Sequence, residues 1–139
     1  MTATPPIRKN SEPSRKDRLQ RGANLVEMAL LVPLLLLILA GVTDLGRAYF
    51  TYITMINAAR EGARWGVDHP ADHGGMEARV FSEAQANGVS LAGAAIDIDE
   101  TGAGHPVTVT VTLNFNAVTG GVLGTPAFPI QAHATFAAR

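Results

Sequence analysis

The sequence predicts an α+β protein: a long N-terminal transmembrane helix that continues outside the membrane, one short helix, and a small antiparallel sheet of about three strands. Three observations carry this. An apolar run begins after a basic head, an apolar periodicity of three and four continues beyond it, and the last third of the chain alternates with period two. With 139 residues there is room for one domain at most, and the first forty do not read as part of it.

Residues 1–22 hold Arg8, Lys9, Arg15, Lys16, Arg18 and Arg21 against Glu12 and Asp17, with Pro5, Pro6 and Pro13 among them. Such a stretch cannot bury enough surface to order itself, so a disordered leader is expected. The remainder is acidic, and no lysine follows Lys16. A basic head before an apolar span places the head in the cytoplasm and everything after the span outside. The expected location is therefore the inner (cytoplasmic) membrane, crossed once.

From Ala23 to Thr43 Glu27 is the only charged residue, and those 21 residues match the roughly 20 needed to cross a hydrocarbon core about 30 Å thick. No Ala-x-Ala site follows, which argues for a retained span over a cleaved secretory signal. Pro33 removes one helical hydrogen bond and predicts a kink. Leu45, Tyr49, Tyr52, Ile56, Ala59 and Ala63 then continue as a helical seam, so a projecting helix is expected over 44–66. Tyr49, Phe50 and Tyr52 also fit an interfacial aromatic belt, and both readings stand at this point. "GVDHPADHGG" ends the helix at Gly66 and Pro70.

Residues 67–139 read as a small extracytoplasmic α+β domain packed on the projecting helix. Met76, Val80, Phe81 and Ala84 predict a short amphipathic helix that closes near Asn87 and Gly88. "VTVTVTLNF" sets Val107, Val109, Val111, Leu113 and Phe115 on one face. "PIQAHATFAA" repeats the pattern with Ile130, Ala132, Ala134 and Phe136, and "AIDID" supplies a weaker strand through Ile96 and Ile98. A sheet this small is marginal in water unless one face is covered, and the helical seam is the expected cover.

Candidate chemistry is sparse. The chain has no cysteine, which removes disulfides, thiolate metal sites and cysteine nucleophiles. His69 and His73 are four apart, but Pro70 lies between them and no third ligand cluster exists, so they read as loop histidines. His105 and His133 read as exposed, and Asp97, Asp99 and Glu100 as solvated groups of a half-exposed strand. Neither a GxSxG elbow nor a GxxxxGK cradle occurs, so neither an enzyme nor a cofactor or small-molecule substrate is expected. The basic head lacks aromatics and ends at the apolar run, which argues against nucleic acid.

"NAAREGAR" is more informative: Asn57, Ala58, Ala59, Arg60, Glu61, Gly62, Ala63 and Arg64. Its small residues make a thin helix surface for close approach, inside the fold or between subunits. Gly62 costs about 1 kcal/mol relative to alanine in a helix interior, which asks for a packing reason. Glu61 is placed to pair with Arg64 one turn on, and Arg60 and Arg64 are expected near the helix C-terminus.

Gly22 before an apolar helix with Glu27 five positions later, "G|ANLVEMALLVP", resembles the prepilin processing signal of type IV pilins. The fuller pattern, "RGANLVEMALLVPLLLLILAGVTDLGR" with "NAAREGAR" downstream, is similar to the TadE-like family of minor pilins or pseudopilins of the tight-adherence (Flp) pilus system. The resemblance implies a pilin-like layout and cleavage between Gly22 and Ala23 by a prepilin peptidase. It also implies an assembly role for Glu27, which would align an incoming subunit with the free amine of its neighbour. The implied partners are the lipid bilayer, the peptidase and other pilin-like or Tad assembly subunits. An uncleaved, membrane-anchored envelope binding protein is the alternative, and an exported hydrolase a third.

Overall fold

The computed structural model describes residues 15–100, 105–124 and 127–137. Of the leader expected over 1–22, residues 1–14 lie outside the described residues. Six elements follow in order: α1 (Arg15–Asp68), α2 (His73–Ala86), β1 (Ala95–Glu100), β2 (Val107–Asn116), α3 (Gly120–Leu123) and β3 (Ala127–Phe136). The α+β class and the three-stranded antiparallel sheet are as the sequence predicts. Two compact units divide the chain, one up to Ile38 and one from Leu39 onward.

α1 begins at Arg15, inside the stretch read as leader, because residues 15–32 contain no proline and are rich in helix formers. It passes Pro33 without interruption. Within the first unit every residue from 24 to 38 is exposed, including Leu30 at 72% and Leu35 at 61%.

The second unit buries the later part of α1 against α2 and one face of the sheet. Met55, Ala58, Ala59 and Ala63 share a core with Met76, Val80, Ala84, Val107, Val109, Val111, Ala132 and Ala134. β2 is the central strand: Val109 lies between Ile98 and Ala134, and Val111 between Ile96 and Ala132. The alternation in "VTVTVT" therefore has a cause, since alternate side chains of a strand face opposite ways and only the valines meet helix. On the opposite face the hydroxyls of Thr108 and Thr135 are 2.9 Å apart. Pro129 sits in β3, an edge strand, where its missing N–H interrupts no second ladder.

Both ends of α2 are capped by local chemistry. Asp72 accepts a hydrogen bond from the Gly75 amide at 2.9 Å. At the other end Val89 N donates to Ala84 O and Gly88 N to Gln85 O, both at 2.9 Å, with Gly88 at φ 75°. That is a Schellman closure, and the positive φ favours glycine there.

Three readings need correction. The apolar seam does not begin at Leu45: Leu45 is 71%, Tyr49 66% and Tyr52 39% exposed, and the buried stripe is Thr54, Met55, Ala58, Ala59, Gly62, Ala63 and Gly66. Leu45, Tyr49 and Tyr52 lie on a side of α1 that the rest of the described unit leaves uncovered, although the sheet itself extends upstream as far as Arg47, whose guanidinium lies 5.3 Å from the centroid of the Phe115 ring. Gly66 does not end the helix, which runs to Asp68, because a glycine is needed at that point for packing. Phe136 shares the inward parity of Ala132 and Ala134 but is 37% exposed at the end of its strand.

Candidate functional site

The predicted functional residues fall into two groups, each belonging to one unit. Gly22 and Glu27 are exposed on the helix of the first unit, and Ala23 follows Gly22 in the same helix. Because α1 begins at Arg15, Glu27 lies three turns inside the helix in the uncut chain. The unpaired amides and positive dipole end of a helix act only over its first turn, so in that chain they do not reach Glu27. A cut after Gly22 changes this, leaving Ala23 as the first residue and Glu27 one turn below it.

The second group is the motif at 57–64, which the fold splits into two faces. Ala58, Ala59 and Ala63 are fully buried and Gly62 is buried, whereas Asn57, Arg60 and Arg64 are exposed. A Cβ placed on Gly62 would lie 2.6 Å from Val80 Cγ2 and 3.1 Å from the Met76 carbonyl oxygen. One placed on Gly66 would lie 2.7 Å from Met76 Sδ and 2.9 Å from Val107 Cγ1. The small residues thus serve an interface inside the fold, where α2 crosses α1 at backbone-contact range. Arg64 clasps Glu61 with two hydrogen bonds, Nε to Oε2 at 2.9 Å and Nη2 to Oε1 at 2.6 Å. The Arg64 guanidinium holds the Glu61 carboxyl below its ordinary value, against the opposing effect of burial. Arg60 and Arg64 do not occupy the helix terminus, since the last turn of α1 contains no basic residue.

Beside the motif is an arrangement the sequence reading missed. Trp65 donates from Nε1 to Asp72 Oδ2 at 3.1 Å, stacks on His69 at 4.1 Å between centroids, and carries Arg79 over its ring at 4.4 Å. Asp72 joins the end of α1 to the first turn of α2. Its carboxyl is lowered mainly by the Gly75 amide and next by the Trp65 indole. Gly75 has to be glycine, because a Cβ there would run into the Asp72 carboxylate and approach Trp65 Nε1 to 2.6 Å. The histidines read as loop residues have partners of their own: His69 stacks on Trp65, and His73 Nε2 is 3.1 Å from Glu100 Oε1.

A second missed site is Asp44, the first residue after the span read at Ala23–Thr43. The residue is 6% exposed and its carboxylate accepts four hydrogen bonds. Thr119 N donates at 2.7 Å, Thr119 Oγ1 at 2.8 Å, Val118 N at 2.9 Å and Arg47 Nη1 at 3.2 Å. The Thr119 amide foremost, then the Val118 amide, holds this carboxyl at about 2, although burial opposes them. Spacing along the chain gives no signal for a contact 75 residues away. The one available hint was an acidic residue directly after an apolar span.

No curated protein and no solved structure matches the chain. Residues 22–64, the stretch that holds Gly22, Glu27, Asp44 and the whole 57–64 motif, match the family described as TadE-like protein.

Proposed function

We propose that this chain is a bitopic TadE-like minor pilin or pseudopilin that acts in assembly of a Tad/Flp-type pilus or secretion apparatus. The observation that carries the reading is the extent of the family match, which joins the apolar helix and the downstream motif in one segment. Among the described residues one helix, Asn24–Asp68, is long and apolar enough to cross a membrane. Together they support a membrane protein related to the Tad pilus. In this reading the N-terminus is cytoplasmic and the sheet lies outside, following the basic head. The protein performs no reaction and is itself the substrate of a prepilin peptidase. Cleavage would place a free amine on Ala23 one helical turn from Glu27, and the carboxylate would then be available to a neighbouring subunit's amine.

Mass spectrometry of the membrane-extracted protein tests this. An N-terminus at Ala23 supports processing, and an intact leader in cells with active prepilin peptidase overturns it. Replacing Gly22 should block the cut. Replacing Glu27 should spare the cut and impair assembly, so normal assembly of a Glu27→Gln variant would remove its role. Full-length protein in membranes, with no pilus component bound, would favour an anchored envelope binding protein instead.

A further inference from the structure

The Asp44 clamp has a consequence for the bilayer. Thr43 is the last residue of the span and Asp44 the first beyond it, and both belong to the unit that contains the sheet. Two consecutive amides of the loop at 117–124 lie within 2.9 Å of the Asp44 carboxylate. This loop is therefore fixed at the depth of residue 44. The interfacial layer is about 5–7 Å thick on each side of the hydrocarbon core, so a loop tied to the first residue past the span lies within it.

The chemistry of the loop fits that layer. Between residues 106 and 138 the chain has no Asp, Glu, Lys or Arg. Val118, next to the clamp, is 66% exposed to solvent. On the next turns of α1 Leu45, Tyr49 and Phe50 are 71%, 66% and 56% exposed, and Tyr49 is of the amphipathic aromatic type enriched at headgroup depth. Arg47, the only Lys or Arg between residues 22 and 59, keeps its side chain 51% exposed there while its guanidinium touches Asp44 and lies 5.3 Å from the centroid of the Phe115 ring, the snorkelling posture of a long basic side chain at an interface. A carboxylate at this depth is tolerable because its oxygens are already occupied by protein donors.

We propose that the loop at 117–124 is a second membrane contact, seated through Val118 in the headgroup region of the outer leaflet with Asp44 as its pin. The domain would then rest on the bilayer and not hang free from its helix. This rests on the reading of residues 23–43 as a membrane span.

The cysteine-free chain suits a depth measurement. Full-length protein with a single Val118→Cys, Leu35→Cys or His133→Cys is labelled with an environment-sensitive fluorophore. Each is reconstituted in phosphatidylcholine–phosphatidylglycerol vesicles containing lipids spin-labelled near the headgroup or deep in the chain. The expected result is several-fold stronger quenching by the shallow label at position 118 than at 133, and strongest quenching by the deep label at 35. Asp44→Asn should bring position 118 toward the level of 133; no change would remove Asp44 as the pin. If 35 is quenched and 118 is no more quenched than 133, the span stands and the loop contact falls. If 35 is not quenched, the span reading fails as well. A 118 probe shielded from aqueous quencher yet untouched by either spin-labelled lipid would mean a second copy covers it, which also overturns the proposal.

Discussion

From residue 24 to residue 39 every position of α1 is exposed, and most of them are Leu, Val, Ile or Met. From 54 to 66 the same helix buries one stripe, made of Thr54, Met55, Ala58, Ala59, Gly62, Ala63 and Gly66. The more apolar region is the less buried one. A helix apolar all round finds no single partner in a small domain, and its surface suits lipid. A stripe of small residues has little apolar area to gain from lipid, but it lets another backbone come close, as Val80 and Met76 do at Gly62. The two regions thus answer to two solvents, and hydropathy alone would have ranked them the wrong way round for protein packing.

The largest break in this comparison should come from paired truncations. Met55→Ala removes a fully buried side chain and should cost about 2–5 kcal/mol, lowering the domain Tm in detergent by about 10 °C or more. Leu35→Ala, in the exposed region, should leave that Tm unchanged.

Matched glycine substitutions should give opposite signs. Gly62→Ala puts a methyl group into Val80 and should destabilise by about 1–2 kcal/mol after the gain in helix propensity. A Cβ on Gly46 meets nothing within 4 Å, so Gly46→Ala should stabilise by about 0.5–1 kcal/mol. If both stabilised, the close approach of α2 to α1 would be wrong.

Acid should act on the Asp44 clamp in one direction. Its carboxyl is depressed from 3.8 to about 2, so the clamp's contribution is complete above about pH 4 and is lost as pH falls toward 2. Protection of the Val118 and Thr119 amides, taken relative to intrinsic exchange at each pH, should fall over that window, and in Asp44→Asn that fall should vanish. The smallest effect is expected at the Glu61–Arg64 pair, whose arginine is two-thirds exposed. Glu61→Gln should move Tm by less than about 2 °C, since exposed ion pairs contribute little.

Much of this architecture was legible in sequence because it is periodic or local. β2 reads directly from "VTVTVT", and the end of α2 from Asn87 and Gly88, whose closing hydrogen bonds span only a few residues. Gly62 was recognisable as a residue with a packing purpose, because a glycine inside a helix has a cost to offset. Gly66 was misread as a stop because the same residue type serves helix ends and close contacts, and only the position of Met76 and Val107 tells them apart. The seam was started too early because Leu45, Tyr49 and Tyr52 keep helical spacing whether they meet a core or a bilayer surface.

By itself the sequence determined where the chain is apolar enough for lipid, where its period changes from helix to strand, and which residues resemble a pilin processing signal. Those properties depend on side chains within a few positions of one another. Only the tertiary structure decided which stripe of α1 is buried, that the small residues of "NAAREGAR" serve an interface inside the fold, and that Asp44 holds a loop 74 residues away. Such contacts depend on which side of the helix the sheet covers and which loop comes to rest beside it. That is a matter of chain geometry and packing, which no local pattern encodes.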